Sequence, residues 1–337
     1  LRLGSTTAIS TSSGATVSSG AALDLGGFTL AAALPLTLNG TGDSSSGALF
    51  NSSATPSAFG GLVSLAANST IRGSAGTVAL TNAGTISSTG SSTLTLDGSA
   101  GGSIASIVGS GVGGVTKQGA GLWTLSGANA FTGAVDITAG TLRAAHNTAL
   151  GTTAGGVTVR NGATLQIGGP ASPSGLAIGA ENLRVEDGGT VHNVAGYNTY
   201  AGGITLVGNA TINVDTGTRL NFTATGSPIS VASNKRLTLN LANGDLTFAR
   251  GLSGGSGSSY LKTGSGTLTT GGITGLVAVS GVYARLYDPT GNDYSSEYGS
   301  TPDYTLGFFD AAVGGNRINL VSGTHYTGTP SWTGTLP

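Results

Sequence analysis

The chain has 337 residues, 8% of them charged, a formal net charge of −1, 61 Gly, and neither Cys nor Met. Without Cys there are no disulfides, thiolate metal sites or Cys nucleophiles. Its 13 Lys and Arg form no cluster, so the basic footprint of a nucleic-acid binder is excluded. No apolar run approaches the roughly 18 residues that span a bilayer, and no signal peptide stands at Leu1. Low charge with abundant Gly is also a mark of disorder, but disordered chains are poor in β-branched residues. Here Thr, Val, Ile and Leu recur at period two almost throughout, and mean hydropathy is positive. The pattern predicts a folded all-β chain; residues 176–185 are the window closest to a helix.

In chain order, residues 1–46 alternate weakly, at 21–25, 28–30 and 36–38, and are expected to form the N-terminal coils of a solenoid. Residues 47–170 form a first long unit. Its clearest stretch is VTKQGAGLWTLSGANAFTGAVDITAGTLR at 115–143. It reads as three short strands, VTK, LWTLSG and AVDIT, between corners at Gly119, Gly121, Gly127, Gly133 and Gly140, glycine being the residue that tolerates φ > 0. Strands so short and so tightly joined suit successive sides of a coil, each coil of about 22 residues laid on the one before. Residues 165–167 are the last strand of this unit. Residues 171–180 are a loop excursion carrying Pro, Ser and Gly. A second unit, 181–281, has strands expected at 204–207, 211–214, 220–223, 237–241 and 246–249. Residues 282–337 differ: six of the nine Tyr and five acids fall there. They are expected to form a small β-rich tail or partial β module.

The two long units repeat one another. GALFN at 47–51 is answered by GTVHN at 189–193, Gly60-Gly61 by Gly202-Gly203, NSTI at 68–71 by NATI at 209–212, and KQGAGLWT at 117–124 by KTGSGTLT at 262–269. The offsets, 142, 142, 141 and 145, indicate duplication with small insertions. Asn51 and Asn193, matched in both units, are read as buried or corner asparagines that satisfy backbone groups.

The stretch 115–143 closely resembles the autotransporter-associated β-strand repeat, also called the passenger-associated transport repeat. That pattern runs Thr-Lys-x-Gly-x-Gly-x-Leu-Thr-Leu-Ser-Gly-Ala-Asn, then Tyr-Thr-Gly and Ala-Gly-Thr-Leu. This chain has Phe131 where Tyr is usual and Trp123 inside the strand, both expected at half-buried positions. The resemblance is partial again at 258–272, and the flanking coils resemble those of filamentous-haemagglutinin-like exoproteins. The tail more faintly resembles a truncated β-grasp-like module. The resemblance implies a right-handed parallel β-helix at the surface of a Gram-negative bacterium, and it brings no catalytic residues. The missing initiator Met and the ending on Thr-Leu-Pro read as a processed or partial segment.

Site chemistry is sparse. His146, His192 and His325 lack metal-ligand spacing and are read as loop or solvent-facing. Acids inside the coil region are Asp97, Asp136, Asp215 and Asp245, with Glu181, Glu186 and Asp187; a carboxylate pair for glycan cleavage would need two of them on one face of adjacent coils, Asp215 and Asp245 being the candidates. Gly109 to Gly114 matches G-x-G-x-x-G but opens no helix. Residues 288–293 (DPTGND) read as a turn with oxygen donors that a calcium ion would accept. The N-x-[ST] sequons at Asn39, Asn51, Asn68, Asn209 and Asn221 are incidental to Thr-rich strands. No catalytic, cofactor or metal site is assigned. The expectation is a non-enzymatic, extracellular structural protein: a shaft or filament-building segment of a secreted adhesin-type protein, self-associating head to tail because bare coil edges pair with other chains. The alternative is a carbohydrate-binding or carbohydrate-cleaving β-helix that takes surface glycans through Tyr197, Tyr200 and Tyr260.

Overall fold

The structure is a computed structural model that describes residues 1–9, 12–31, 33–43, 46–168 and 175–271, together with the backbone of Ile273–Thr274, Val277–Ala278 and Ile318–Leu320. The chain divides into two units, Leu1–Gln166 and Ile167–Pro337. Each is a parallel β-solenoid, and no helix occurs among the described residues. Of the Tyr-rich tail only the backbone of Ile318–Leu320 is described; the calcium-turn candidate at 288–293 and His325 lie outside the described residues.

Three faces make up the wall of each unit. In the first, face A stacks Leu23–Asp24, Leu49–Asn51, Ser69–Gly73, Thr93–Asp97, Gly114–Lys117, Val135–Ile137 and Val157–Val159. Face B stacks Thr29–Leu30, Ser57–Phe59, Val78–Leu80, Gly102–Ile104, Leu122–Leu125, Thr141–Ala144 and Thr164–Ile167. Face C stacks only Ala15–Val17, Leu36–Leu38, Val63–Leu65, Thr85–Ser88 and Ile107–Val108, and stops there. In the second unit the faces, lettered by the duplication that matches Asn51 with Asn193 and not by sheet membership, are Gly189–Asn193, Ala210–Val214, Arg236–Leu241, Ser259–Thr263 and Val277–Ala278 (A); Ala177–Ile178, Tyr197–Tyr200, Arg219–Phe222, Asp245–Phe248, Leu268–Thr270 and Ile318–Leu320 (B); and Leu183–Val185, Ile204–Leu206, Ile229–Val231, Leu252–Gly254 and Ile273–Thr274 (C).

Among strands with described side chains, one coil returns to the same face after 19 residues (Leu122 to Thr141) to 29 (Thr29 to Ala58) in the first unit. The range in the second is 21 (Leu183 to Ile204) to 27 (Ala210 to Leu237). The sequence window nearest to a helix, 176–185, instead supplies strands Ala177–Ile178 and Leu183–Val185. Ile178, Leu183 and Val185 each fill an inward strand position, so their spacing serves two sides of a coil rather than one helical stripe.

Because alternate side chains of a strand point to one face, each parallel register builds an inward column. On face A of the first unit the column is Leu49, Ile71, Leu96, Lys117, Ile137 and Val159. On face B of the second it is Ile178, Tyr200, Phe222, Phe248 and Thr270. Within this column the Phe222 and Phe248 rings stack with centroids 5.3 Å apart, and Tyr200 and Phe222 lie tilted at 5.9 Å. All three rings are buried. Replacing the middle ring cuts the column: Phe222→Ala should cost about 3–5 kcal/mol and Phe222→Leu far less, read from urea-denaturation midpoints. Equal midpoints for the two variants would show that the column carries no weight.

Candidate functional site

Residues 115–144 run through faces A and B, cross the third side without a strand, and run through A and B again: Gly114–Lys117, Leu122–Leu125, Val135–Ile137 and Thr141–Ala144. The three expected strands are present. The corners follow a different rule from the one read off the sequence. Only Gly119 and Gly140 have positive φ, at 65° and 62°. Gly121, Gly127 and Gly133 do not; a Cβ on any of them would run into the backbone of the coil before it. Close approach, not left-handed conformation, requires glycine there. Trp123 and Phe131 are fully buried rather than half-buried. The Trp123 indole N–H donates to the Asp97 carbonyl at 3.0 Å, which satisfies its one polar atom inside.

Lys117 occupies an inward column of aliphatic residues and is itself fully buried. Its Nζ turns to the corner between faces A and B and donates to the carbonyls of Gln118 (2.6 Å), Gly119 (2.7 Å) and Ala139 (2.9 Å). One ammonium thus fills its three donor positions and ties two successive coils. Burial pushes it down to about 8, and the charge of Asp97 pulls it back up. Lys262, matched to Lys117 by the duplication, continues the corresponding column of Val191, Ile212 and Leu239 in the second unit. It too is fully buried, and it donates to the Gly264 carbonyl at 3.1 Å.

Asparagines do the same work at neighbouring corners. Asn51 Nδ2 donates to the Thr55 and Thr77 carbonyls, and its Oδ1 accepts from the Gly27 and Ser53 N–H groups. Asn193 donates to the Gly196 and Arg219 carbonyls and the Thr218 hydroxyl, and accepts from Asn198 Nδ2 at 2.7 Å. Both are fully buried, as their shared place in the two units indicated. The duplicated Asn68 and Asn209 accept from the Thr93 and Arg236 N–H groups of the following coil, at 2.8 and 2.9 Å. Asn129, in the strandless third side, ends the face C sheet. It takes the Val108 N–H on Oδ1 (2.8 Å) while Ala130 N–H donates to the Val108 carbonyl, and its Nδ2 reaches the Ala149 carbonyl at 2.6 Å. A side-chain amide and one peptide group stand where another strand would pair.

Most of the acids considered for catalysis are held by basic side chains. Asp136 takes a two-point contact from Arg160 (2.7 and 2.9 Å), Asp97 faces Arg72 at 3.7 Å, Asp245 takes Arg219 at 3.0 Å, and Glu186 takes Arg184 at 3.4 Å. Asp187 is bonded by the Asn209 N–H and then Lys235, which hold its carboxyl below the usual range. Asp215 pairs with His192 Nε2 at 2.8 Å. His146 accepts the Thr148 N–H on Nδ1 at 3.2 Å. Among the described residues no three His, Asp or Glu come together to hold a metal ion. Glu181 differs from the rest, being buried with Oε2 lacking a hydrogen-bond partner. Gly109 to Gly114 turns into the strand Gly114–Lys117, so it meets no helix. Of the tyrosines considered for glycans, Tyr200 and Tyr260 are core residues with no exposed ring; Tyr197 is 47% exposed, with the Arg219 guanidinium 5.3 Å from its ring centre.

The sequence reading missed the two buried lysines. The signal was present: the chain has three lysines, Lys117, Lys235 and Lys262, and the duplication preserves two of them within KxGxG. Lys117→Met fills the column but leaves three carbonyls without their donor, and should destabilise by on the order of 3 kcal/mol. Asn129→Ala should cost about 1–3 kcal/mol. Both are measured by denaturant titration; a Lys117→Met protein as stable as the parent would refute the carbonyl-tying role.

A family model described as the passenger-associated transport repeat matches residues 115–144. No curated protein matches the chain, and no solved structure does. The matched residues are the two-coil segment that ends the face C sheet and carries Lys117, Trp123, Asn129 and Phe131. The chain is therefore an all-β parallel solenoid in which residues 115–144 match the passenger-associated transport repeat.

Proposed function

We propose that this chain is a non-enzymatic structural segment, a β-helical shaft of a secreted adhesin-type protein that self-associates head to tail. The repeat family is one of secreted or surface-exposed proteins of Gram-negative bacteria, and extracellular display is the setting of this reading. The observation that carries it is the use of side-chain chemistry inside each unit. Lys117, Asn51, Asn129 and Asn193 each donate to a backbone carbonyl of the following coil. Polar groups so used hold a stack together. The ion pairs outside are exposed or half-exposed and add little stability, about 0–1 kcal/mol each.

The same architecture supports the self-association part of this reading. A parallel stack offers a strand edge wherever it is uncovered, and the stretch 3–114 has only Arg72, Asp24, Asp43 and Asp97 to discourage pairing. A contact between unlike edges is heterologous and propagates rather than closing. Negative-stain images and sedimentation velocity over a range of concentrations should show particles that lengthen with concentration. Single chains at every concentration would overturn the filament part, and release of oligosaccharides from any polysaccharide would overturn the non-enzymatic part.

A second reading, glycan binding, is favoured by the row Tyr197, Arg219 and Asp245. These residues are in register on successive strands of face B in the second unit; Tyr197 and Arg219 are exposed and Asp245 is half-exposed. An aromatic ring beside a cation and a carboxylate is chemistry that a sugar accepts. Tyr197→Ala and Arg219→Ala should then abolish retention on an immobilised glycan panel; no retention of the parent chain on any glycan removes this reading.

A further inference from the structure

The repeated order of strands allows one corner to be compared with its counterpart; taken by strand position, Gly61 stands opposite Gly202, one residue off the pairing of Gly60-Gly61 with Gly202-Gly203 in the sequence. Gly61 and Gly202 each stand two residues after a face B strand, and a Cβ on either would strike the carbonyl of the coil below, that of Leu34 and that of Glu181 respectively. Leu34 and Glu181 each lie two residues before a face C strand, and both are buried, at 4% and 2% exposure. The inward residues closing the face B strands above them are Phe59 and Tyr200, both fully buried. The same inward pair is therefore Leu and Phe in the first unit, and Glu and Tyr in the second. Among the described residues neither Glu181 Oε2 nor the Tyr200 hydroxyl has a hydrogen-bond partner.

From this geometry we propose that Glu181 is a proton-operated latch in the second unit: the corner is closed while the carboxyl is neutral and opens when it ionises, whereas the Leu34 corner of the first unit does not respond. Among the described residues no cation pairs with the carboxyl. Residues 169–180, which lead into it, carry no charged side chain. Tyr200 is the inward-facing titratable group on the face B strand beside it, Tyr197 facing outward, and burial followed by the Glu181 charge pushes its phenol upward, so it stays neutral. Arg184, on the face C strand that follows, is exposed and engaged with Glu186. Arg250, beside Gly203, is half-buried and donates to the Ser227 carbonyl. Burial pushes the Glu181 carboxyl up from 4.5 to about 7. A carboxyl raised in the folded state stabilises the closed corner at low pH, and this advantage is lost as pH climbs from the exposed value through the folded one.

The test is hydrogen exchange on the whole chain, expressed as protection factors so that the intrinsic pH dependence of exchange cancels. Between about pH 5.5 and about pH 8.5 the amides of 181–206 should lose protection by about thirtyfold, the ratio that linkage gives for these two pKa values, while those of 34–65 stay level. Glu181→Gln keeps the shape without the charge, and Glu181→Leu installs the residue of the first unit; in both the difference between the two pH values should vanish. A parent chain that loses protection equally at both corners, or a Glu181→Gln protein that responds to pH like the parent, would overturn the latch.

Discussion

A strand of three to five residues cannot satisfy its own backbone, so every coil depends on its neighbours for its hydrogen bonds. This dependence fixes the register, and the register fixes the columns. Once Leu49, Ile71 and Leu96 are aligned, the next residue on that side must also point inward, whatever it is. When that residue is Lys117, removing its methylenes from water is favourable, and the charge must then find partners inside. The corner provides them, because the chain turning from face A to face B bares carbonyl groups that no strand takes. Lys117 is tolerated because of where its column ends, beside the Gln118 and Gly119 carbonyls of its own corner and the Ala139 carbonyl of the next coil.

The same logic separates structural asparagines from decorative ones. A buried amide at a corner both donates and accepts, so one residue closes gaps in two directions. Asn51 connects three coils in this way, and Asn193 with Asn198 forms a small network at the matching corner of the second unit. Asn129 solves a different problem. The face C sheet stops at Ile107–Val108, and an uncovered edge invites other strands. An amide side chain satisfies the Val108 N–H without extending the sheet. Termination of one face while two others continue is what the loop SGANAFTGA at 126–134 achieves.

Much of this fold was legible because period-two alternation between glycines has few other structural meanings. The strands around Leu122, Val135, Leu220, Leu237 and Leu246 were all readable, as were the burial of Asn51 and Asn193 and the stacking of short segments. What the sequence hid depended on which side of the chain a residue faces and on what lies one coil away. Tyr197 and Tyr200 are three residues apart on one strand and face opposite ways, so one is exposed and the other is core. Asp245 looked like half of an acid pair until the register placed Arg219 next to it. His192 and Asp215 are separated by a whole coil, and no local spacing announces their contact. Glycine was legible as a corner residue but not as the reason for it; whether φ or a neighbouring carbonyl demands it is a property of the stack.

Duplication in a stacked fold preserves constraints unevenly. Positions that tie coils together are kept in kind: Lys117 and Lys262, Asn51 and Asn193, Asn68 and Asn209 retain both residue type and partner class. Glycines against a carbonyl are kept as well, since Gly61 and Gly202 have no room for a side chain. Inward positions next to them are bound only by volume and by solvation, and there the two copies part. Phe59 and Tyr200 differ by one hydroxyl, and Leu34 and Glu181 by the exchange of an aliphatic end for a carboxyl. The first change buries an unpaired hydroxyl and the second an unpaired carboxyl oxygen, each at a cost of roughly 1–3 kcal/mol. That both stand at one corner of one copy, with apolar residues at the same corner of the other, makes them a joint departure from a packing solution the fold already possessed.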